Sequence, residues 1–110
     1  MLLTSHYHIL LSALLCILAC SSLQKWQPLD TDLVNVQHHH PDIKIQDLKT
    51  GYKLYIEQCS GCHALHHPSE YSITQWDSIL PEMFSQAKIN NPNEKLFIKQ
   101  YLYSKTKSQN

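Results

Sequence analysis

Hydrophobic positions fall into three regimes along the chain. Residues 9–19 read I-L-L-S-A-L-L-C-I-L-A, an apolar run of eleven broken only by Ser12. From residue 21 to about 45, Gln, Asp, Ser, Asn and His dominate, and Pro28 and Pro41 interrupt. No period of 3.6 or 2 persists there, which predicts a flexible tether with a mean reach of about 25–30 Å. Trp26, Leu29, Leu33, Val34 and Val36 could still pack locally on a neighbouring domain. The helical period returns at about residue 47. Leu48, Tyr52, Tyr55 and Cys59 recur at helical spacing behind Asp47, a residue type that caps helix N-termini. Ser72-x-x-Gln75 is a capping-box pattern, and Trp76, Leu80, Met83 and Ala87 follow on one face, with Pro81 interrupting. Asn91, Pro92 and Glu94 mark a third start, with Leu96, Tyr101 and either Phe97 or Ile98 as its apolar face. No segment reads as a strand. The pattern predicts an all-α fold with a small three-helix domain over residues 47–104 and a polar tail over 105–110.

The apolar run is too short for a bilayer, which needs about 17–25 residues, and suits a signal-peptide core. It ends at Ile17-Leu18-Ala19-Cys20, followed by Ser21-Ser22. That junction resembles the lipobox of bacterial lipoproteins, in which the Cys after a small residue is diacylated and becomes the new N-terminus. The resemblance implies a signal peptide over residues 1–19, a lipidated N-terminus and tether over 20–46, and lipidation at Cys20. It places the protein in a bacterial cell envelope, lipid-anchored on the periplasmic side, with Ser21 pointing to the outer membrane. One departure stands: the first eight residues hold no Lys or Arg, only His6 and His8 beside the amine. The alternative is an uncleaved hydrophobic anchor beginning at Leu2.

Composition narrows the partners. Nine basic residues, all Lys, balance nine acids, with no basic stripe, so nucleic acid is not expected. With the apolar supply concentrated at the N-terminus, the remainder is thin in hydrophobic residues and needs a metal, disulfide or cofactor to fold. Of four cysteines, Cys16 and Cys20 belong to the apolar run.

The other two form Cys59-Ser60-Gly61-Cys62-His63, the C-x-x-C-H pattern of covalent haem attachment. Two thiols at this spacing reach the two vinyl groups of one haem, and the following imidazole comes under the iron as proximal ligand. Gly61 relieves crowding at the porphyrin edge. A thioredoxin-type C-x-x-C wants a βαβ setting that is absent. A zinc site needs four ligands, which His66 and His67 would have to complete.

The stretch from Gly51 to His63, G-Y-K-L-Y-I-E-Q-C-S-G-C-H, resembles the first helix and haem site of class I cytochromes c. In that family a Gly lies eight residues before the first haem Cys and an aromatic four before it; Gly51 and Tyr55 stand there. The resemblance implies a C-terminal helix crossing the first one at Gly51, with Phe97, Tyr101 and Leu102 as the matching contacts. It implies one covalent haem c, with Tyr52, Tyr55 and Trp76 as core aromatics walling it.

A second axial ligand is then expected. After cleavage before Cys20, Met83 would be the only methionine remaining, and a thioether suits electron transfer by raising the iron potential. Its distance from Cys62, 21 residues, is short for class I cytochromes. It resembles small bacterial haem lipoproteins and the modules of di-haem cytochromes, some of which use a distal His. His38, His39 and His40 are the alternatives from the tether, while His66 and His67 should flank the haem edge. The function implied is electron transfer between donor and acceptor proteins, with no enzymatic constellation. A haem-based gas or redox sensor is the alternative, and a zinc- or copper-binding lipoprotein the third.

Overall fold

The structure, a computed structural model, describes residues 6–13 and 25–106. Cys16 and the expected lipidation site Cys20 lie outside the described residues, as does the end of the tail from 107 onward. Residues 6–13 are helical with every side chain exposed. The rest contains α1 (Asp30–Gln37), α2 (Ile45–Cys59), a 3₁₀ turn (Pro68–Glu70), α3 (Ile73–Gln86) and α4 (Pro92–Lys105). No strand occurs among the described residues. The all-α expectation is met, and beyond the three helices the pattern predicts, residues 6–13 and α1 are helical as well.

Local chemistry explains each start. At α3, the Ser72 N–H donates to Gln75 Oε1 (2.9 Å) and the Gln75 N–H returns to Ser72 Oγ (3.3 Å), the reciprocal capping box expected. At α4, the Asn93 N–H donates to Asn91 Oδ1 (2.9 Å), and Pro92 takes the first position, where its missing N–H costs nothing. Asp47 is not the N-cap of α2. It lies in the first turn and accepts the N–H of the N-cap residue Lys44 at 2.8 Å, so the helix begins at Ile45. A carboxylate serves either place, because both bring it to orphan N–H groups at the positive end of the helix.

The end of α3 has its own device. Lys88 adopts φ 57°, the left-handed region, and the Ile89 N–H reaches back to the Phe84 carbonyl (2.9 Å) and the Lys88 N–H to that of Ser85 (3.2 Å). This is a Schellman motif, and Ile89 and Phe84, 2% and 6% exposed, form its hydrophobic contact.

The core is built on the crossing of α2 and α4. A Cβ placed on Gly51 would lie 2.0 Å from the Phe97 carbonyl oxygen and 2.8 Å from Tyr101 Cβ. Only a residue without a side chain lets the two backbones come so near. Around this point Tyr52 meets Tyr101 edge-on at 5.5 Å, and Tyr55 meets Tyr101 at 6.0 Å and Trp76 at 6.4 Å. Ile98, Tyr101 and Leu102 are fully buried on α4, and Trp76, Leu80 and Phe84 are buried on α3. Leu96, expected on the apolar face of α4, is instead 50% exposed, because the face turned to Gly51 runs through Ile98, Tyr101 and Leu102.

Residues 30–37, expected to be tether, form α1. Val36 is buried with Ile43 and Leu48 in a second small cluster, and Leu33 packs against it. Leu29 and Val34 stay about 60% exposed (60% and 59%). Lys105 in the last turn of α4, with Asp32 at 2.6 Å, holds this segment in place. Lys105 thus ends a helix rather than opening the polar tail, and Thr106 beyond it is buried.

Two substitutions probe these constraints. Gly51→Ala should destabilise the fold by about 1–3 kcal/mol despite alanine's better helix propensity, because the obstacle is backbone rather than a movable side chain. Urea unfolding followed by circular dichroism measures it. Lys88→Gly should stabilise by about 1 kcal/mol in the same assay, by removing the left-handed penalty of a side-chain-bearing residue.

Candidate functional site

Helix α2 ends at Cys59, with Ser60 as its C-cap, so the cysteine motif begins on the last turn and leaves the helix at once. Residues 60–64 are exposed. Cys59 is half-buried against the core, Cys62 is exposed, and both are free thiols. Burial, and then the neighbouring Cys62, push the Cys59 thiol up to about 11. A C-x-x-C built for disulfide exchange sits at a helix N-terminus, where the dipole favours thiolate. Cys59 has the opposite placement and the opposite shift, which removes support from the thioredoxin-type alternative.

The His63 ring is oriented by its own turn. Its Nδ1 lies 2.7 Å from the Ala64 carbonyl oxygen, which can only accept, so Nδ1 carries the proton. In the neutral ring this leaves the lone pair on Nε2, the state in which a histidine binds a metal while its other nitrogen donates to a carbonyl.

Cys59, Cys62, His63 and Met83 line one cleft between the end of α2, the turn after it and α3. Tyr55, Leu65, Gln86 and Ala87 complete the lining, so no charged side chain contributes. Met83 is half-buried at the edge of the core; the deep position is taken by Phe84, four residues after Leu80. The apolar face of α3 is therefore rotated from the expected one. Trp76, Leu80 and Phe84 face inward, and Met83 and Ala87 fall beside the cleft. Trp76 does not wall the cleft: it is 0% exposed in the core, its Nε1–H donating to the Pro68 carbonyl at 2.9 Å. Tyr55 does line the cleft, and its hydroxyl donates to the His66 carbonyl (2.8 Å). Both were expected as core aromatics beside a haem; they also pin the loop after the motif, which no local spacing signals.

Two thiols at this spacing, an imidazole and a thioether across the cleft are donors of the kinds a covalently attached haem takes, and by chemistry they would fit one. The space between the walls is narrow, about 20 Å³. A macrocycle would require the exposed 60–64 turn to stand off from α3.

The other histidines lie elsewhere. His66 Nδ1 is 2.8 Å from Glu70 Oε2, and its ring is 5.3 Å from that of His63. His67 Nδ1 accepts the Ser69 N–H (3.2 Å), and its ring meets Trp26 edge-on at 5.1 Å. Neither lines the cleft. His39 and His40 line a separate cavity of about 630 Å³ with Asp77, Lys99 and Tyr103, so the structure does not bring them to Met83. There Asp77 accepts from Tyr103 and from Lys99 (2.8 Å), and both hold its carboxyl below the usual range. Nothing in the periodicity of the sequence signals this cavity, since its walls come from segments far apart in the chain. No group of three or more His, Cys, Asp or Glu side chains able to hold a metal ion occurs among the described residues, which leaves the zinc or copper alternative without a ligand set there. Nor is any helix among them long and apolar enough to cross a membrane.

No family model, curated protein or solved structure matches this chain.

Proposed function

We propose that this protein is a membrane-anchored, extracytoplasmic electron carrier with one covalently attached haem c. The observation that carries the reading is the convergence of Cys59, Cys62 and His63 with Met83, chosen from separate parts of the sequence, on one uncharged cleft. The close approach of α2 and α4 at Gly51, with Phe97 and Tyr101 opposite, is the contact that the resemblance to class I cytochromes c implies, and it supports the same reading.

In this proposal Cys59 and Cys62 would hold the group through thioethers and His63 Nε2 would bind its iron. The Ala64 carbonyl keeps the imidazole in the correct tautomer. Met83 would be the distal ligand, its soft sulfur favouring the reduced metal. When bound, the haem supplies reversible one-electron chemistry and no substrate is transformed. Tyr55, Leu65 and Ala87 limit water at the site, and Tyr55 fixes the far end of the loop through His66. Delivery by a signal peptide and anchoring through Cys20 would put the protein on the periplasmic side, at the outer membrane, with redox proteins as partners.

Protein matured in a host with haem-attachment machinery should keep its haem through acid-acetone extraction and give the pyridine haemochrome spectrum of thioether-linked haem. Haem that extracts freely, or its absence, overturns the proposal. Met83→Ala should abolish the weak near-infrared sulfur-to-iron band of the ferric protein. It should also lower the midpoint potential and open the iron to CO. A wild-type spectrum in Met83→Ala, with low-spin character lost in a His38, His39 or His40 variant, would assign a bis-histidine carrier instead.

A further inference from the structure

The cavity of about 630 Å³ that α1 and the turn after it form with α3 and α4 takes no part in the proposed redox site. Its size falls in the range of about 300–1,000 Å³ usual for small-molecule sites. Buried Val36 and exposed Ile73 supply apolar wall, and Tyr103 supplies a flat ring with Lys99 Nζ 5.6 Å from its centre. The fixed charges of the cavity cancel in place. Lys99 Nζ lies 2.8 Å from Asp77 Oδ1, and the Tyr103 hydroxyl donates to that same oxygen. Lys99, and then Tyr103, hold the Asp77 carboxyl below its usual range, and Asp77 in turn holds the Lys99 ammonium above its own. An organic anion here would meet Asp77 and an organic cation would meet Lys99, each a like charge that opposes binding. An uncharged ligand meets neither penalty.

The open polar positions are mainly acceptors. A carboxylate can take about four hydrogen bonds, and both of those made to Asp77 fall on Oδ1, which leaves Oδ2 without a donor among the described residues. The rings of His39 and His40 likewise make no hydrogen bond there. These two histidines also wall a second cavity, of about 280 Å³, together with Gln100, whose Oε1 is buried without a partner among the described residues. We infer that the larger cavity binds an uncharged aromatic alcohol, its hydroxyl donating to Asp77 Oδ2 and its ring lying against Val36, Ile73 and Tyr103. Asp77 already accepts one phenol, that of Tyr103, on Oδ1, and the ligand takes the same role on the other oxygen. Such charge-assisted O–H bonds are about twice as strong as neutral ones. The neutral imidazoles of His39 and His40 offer a further acceptor, which favours a ring with two hydroxyls, a hydroquinone, over a simple phenol. The inference does not depend on the haem.

Amide NMR of the full-length Cys20→Ser protein, titrated with para-methoxyphenol, tests it. Saturable shifts should appear at Ile73, Thr74, Asp77 and Tyr103. The same ring without a donor, para-dimethoxybenzene, should bind about tenfold more weakly, as should benzoate and benzylammonium, while hydroquinone should bind more tightly. Asp77→Asn should weaken para-methoxyphenol about tenfold, with the amide shifts of Tyr55 and Leu48 reporting that the core is retained. Should that variant lose its fold, the comparison of ligands on the parent protein decides alone. Equal binding of para-dimethoxybenzene overturns the role of Asp77 Oδ2. Tighter binding of benzoate or benzylammonium overturns the uncharged class. Shifts confined to residues 59–65 would place the ligand in the cysteine cleft and overturn the site, and so would the absence of any saturable shift.

Discussion

The approach of α2 to α4 at Gly51 is the constraint on which the remaining structure depends. With the Phe97 carbonyl only 2.0 Å from where a Cβ would stand, backbone meets backbone, and the flanking side chains have no choice of partner. Gly51, Tyr55 and Cys59 follow at intervals of four along α2, and such positions form one ridge. The crossing therefore sets the azimuth of the whole ridge. Tyr55 is driven into the aromatic group with Tyr101 and Trp76, and Cys59, one turn later, emerges half-covered at the edge of the core. The motif begins where it does because a glycine two turns earlier has no side chain.

The loop after the motif is held at its far end and not at its near one. Tyr55 takes the His66 carbonyl and Trp76 takes the Pro68 carbonyl, two hydrogen bonds from residues already locked in the core. Both carbonyls are thereby satisfied without water, as a partly buried loop requires. Between Cys59 and these pins, residues 60–64 are exposed, and the side-chain bond recorded there is the local one from His63 to Ala64. The rigid part positions the ends of the turn while the turn keeps freedom to open. A narrow cleft would need that division if it were to widen around the proposed haem.

What could be read from the sequence was local chemistry and spacing. The Ser72–Gln75 box and the Asn91–Pro92 start depend on residues a few positions apart, the close contact at Gly51 was implied by the resemblance to class I cytochromes c, and each appears in the fold. The Met83 placement was legible only in part: helical spacing put it on the apolar face, yet Phe84 fills the core and Met83 lies at its rim. A period of 3.6 leaves such neighbours nearly equivalent until a partner chooses between them. Helix α1 was not legible at all. Its eight residues are polar and weakly periodic, too few to be stable alone. It exists through contacts such as Asp32–Lys105 that no local window contains. The 630 Å³ cavity beside it was hidden for the same reason.

Ten partly buried hydrophobic residues edge the main core cluster, and four of them meet at the cysteine cleft. Cys59, Leu65, Tyr71, Met83 and Ala87 all pack on the main cluster and all remain partly uncovered, and four of these five line the cysteine cleft. Apolar surface left half-wet in so small a domain withholds stabilisation, roughly 25 cal/mol for each Å² that another group would cover. No charged residue lines the cleft to make water welcome. A large apolar macrocycle held by Cys59 and Cys62 would cover the four of these that line the cleft, so the donor set that fits haem chemically sits beside apolar surface still partly wet. On this argument the cysteines do more than tether a cofactor. In the proposed holoprotein they would fix a further wall on the core, which would tie stability to attachment in a domain too small to have much to spare.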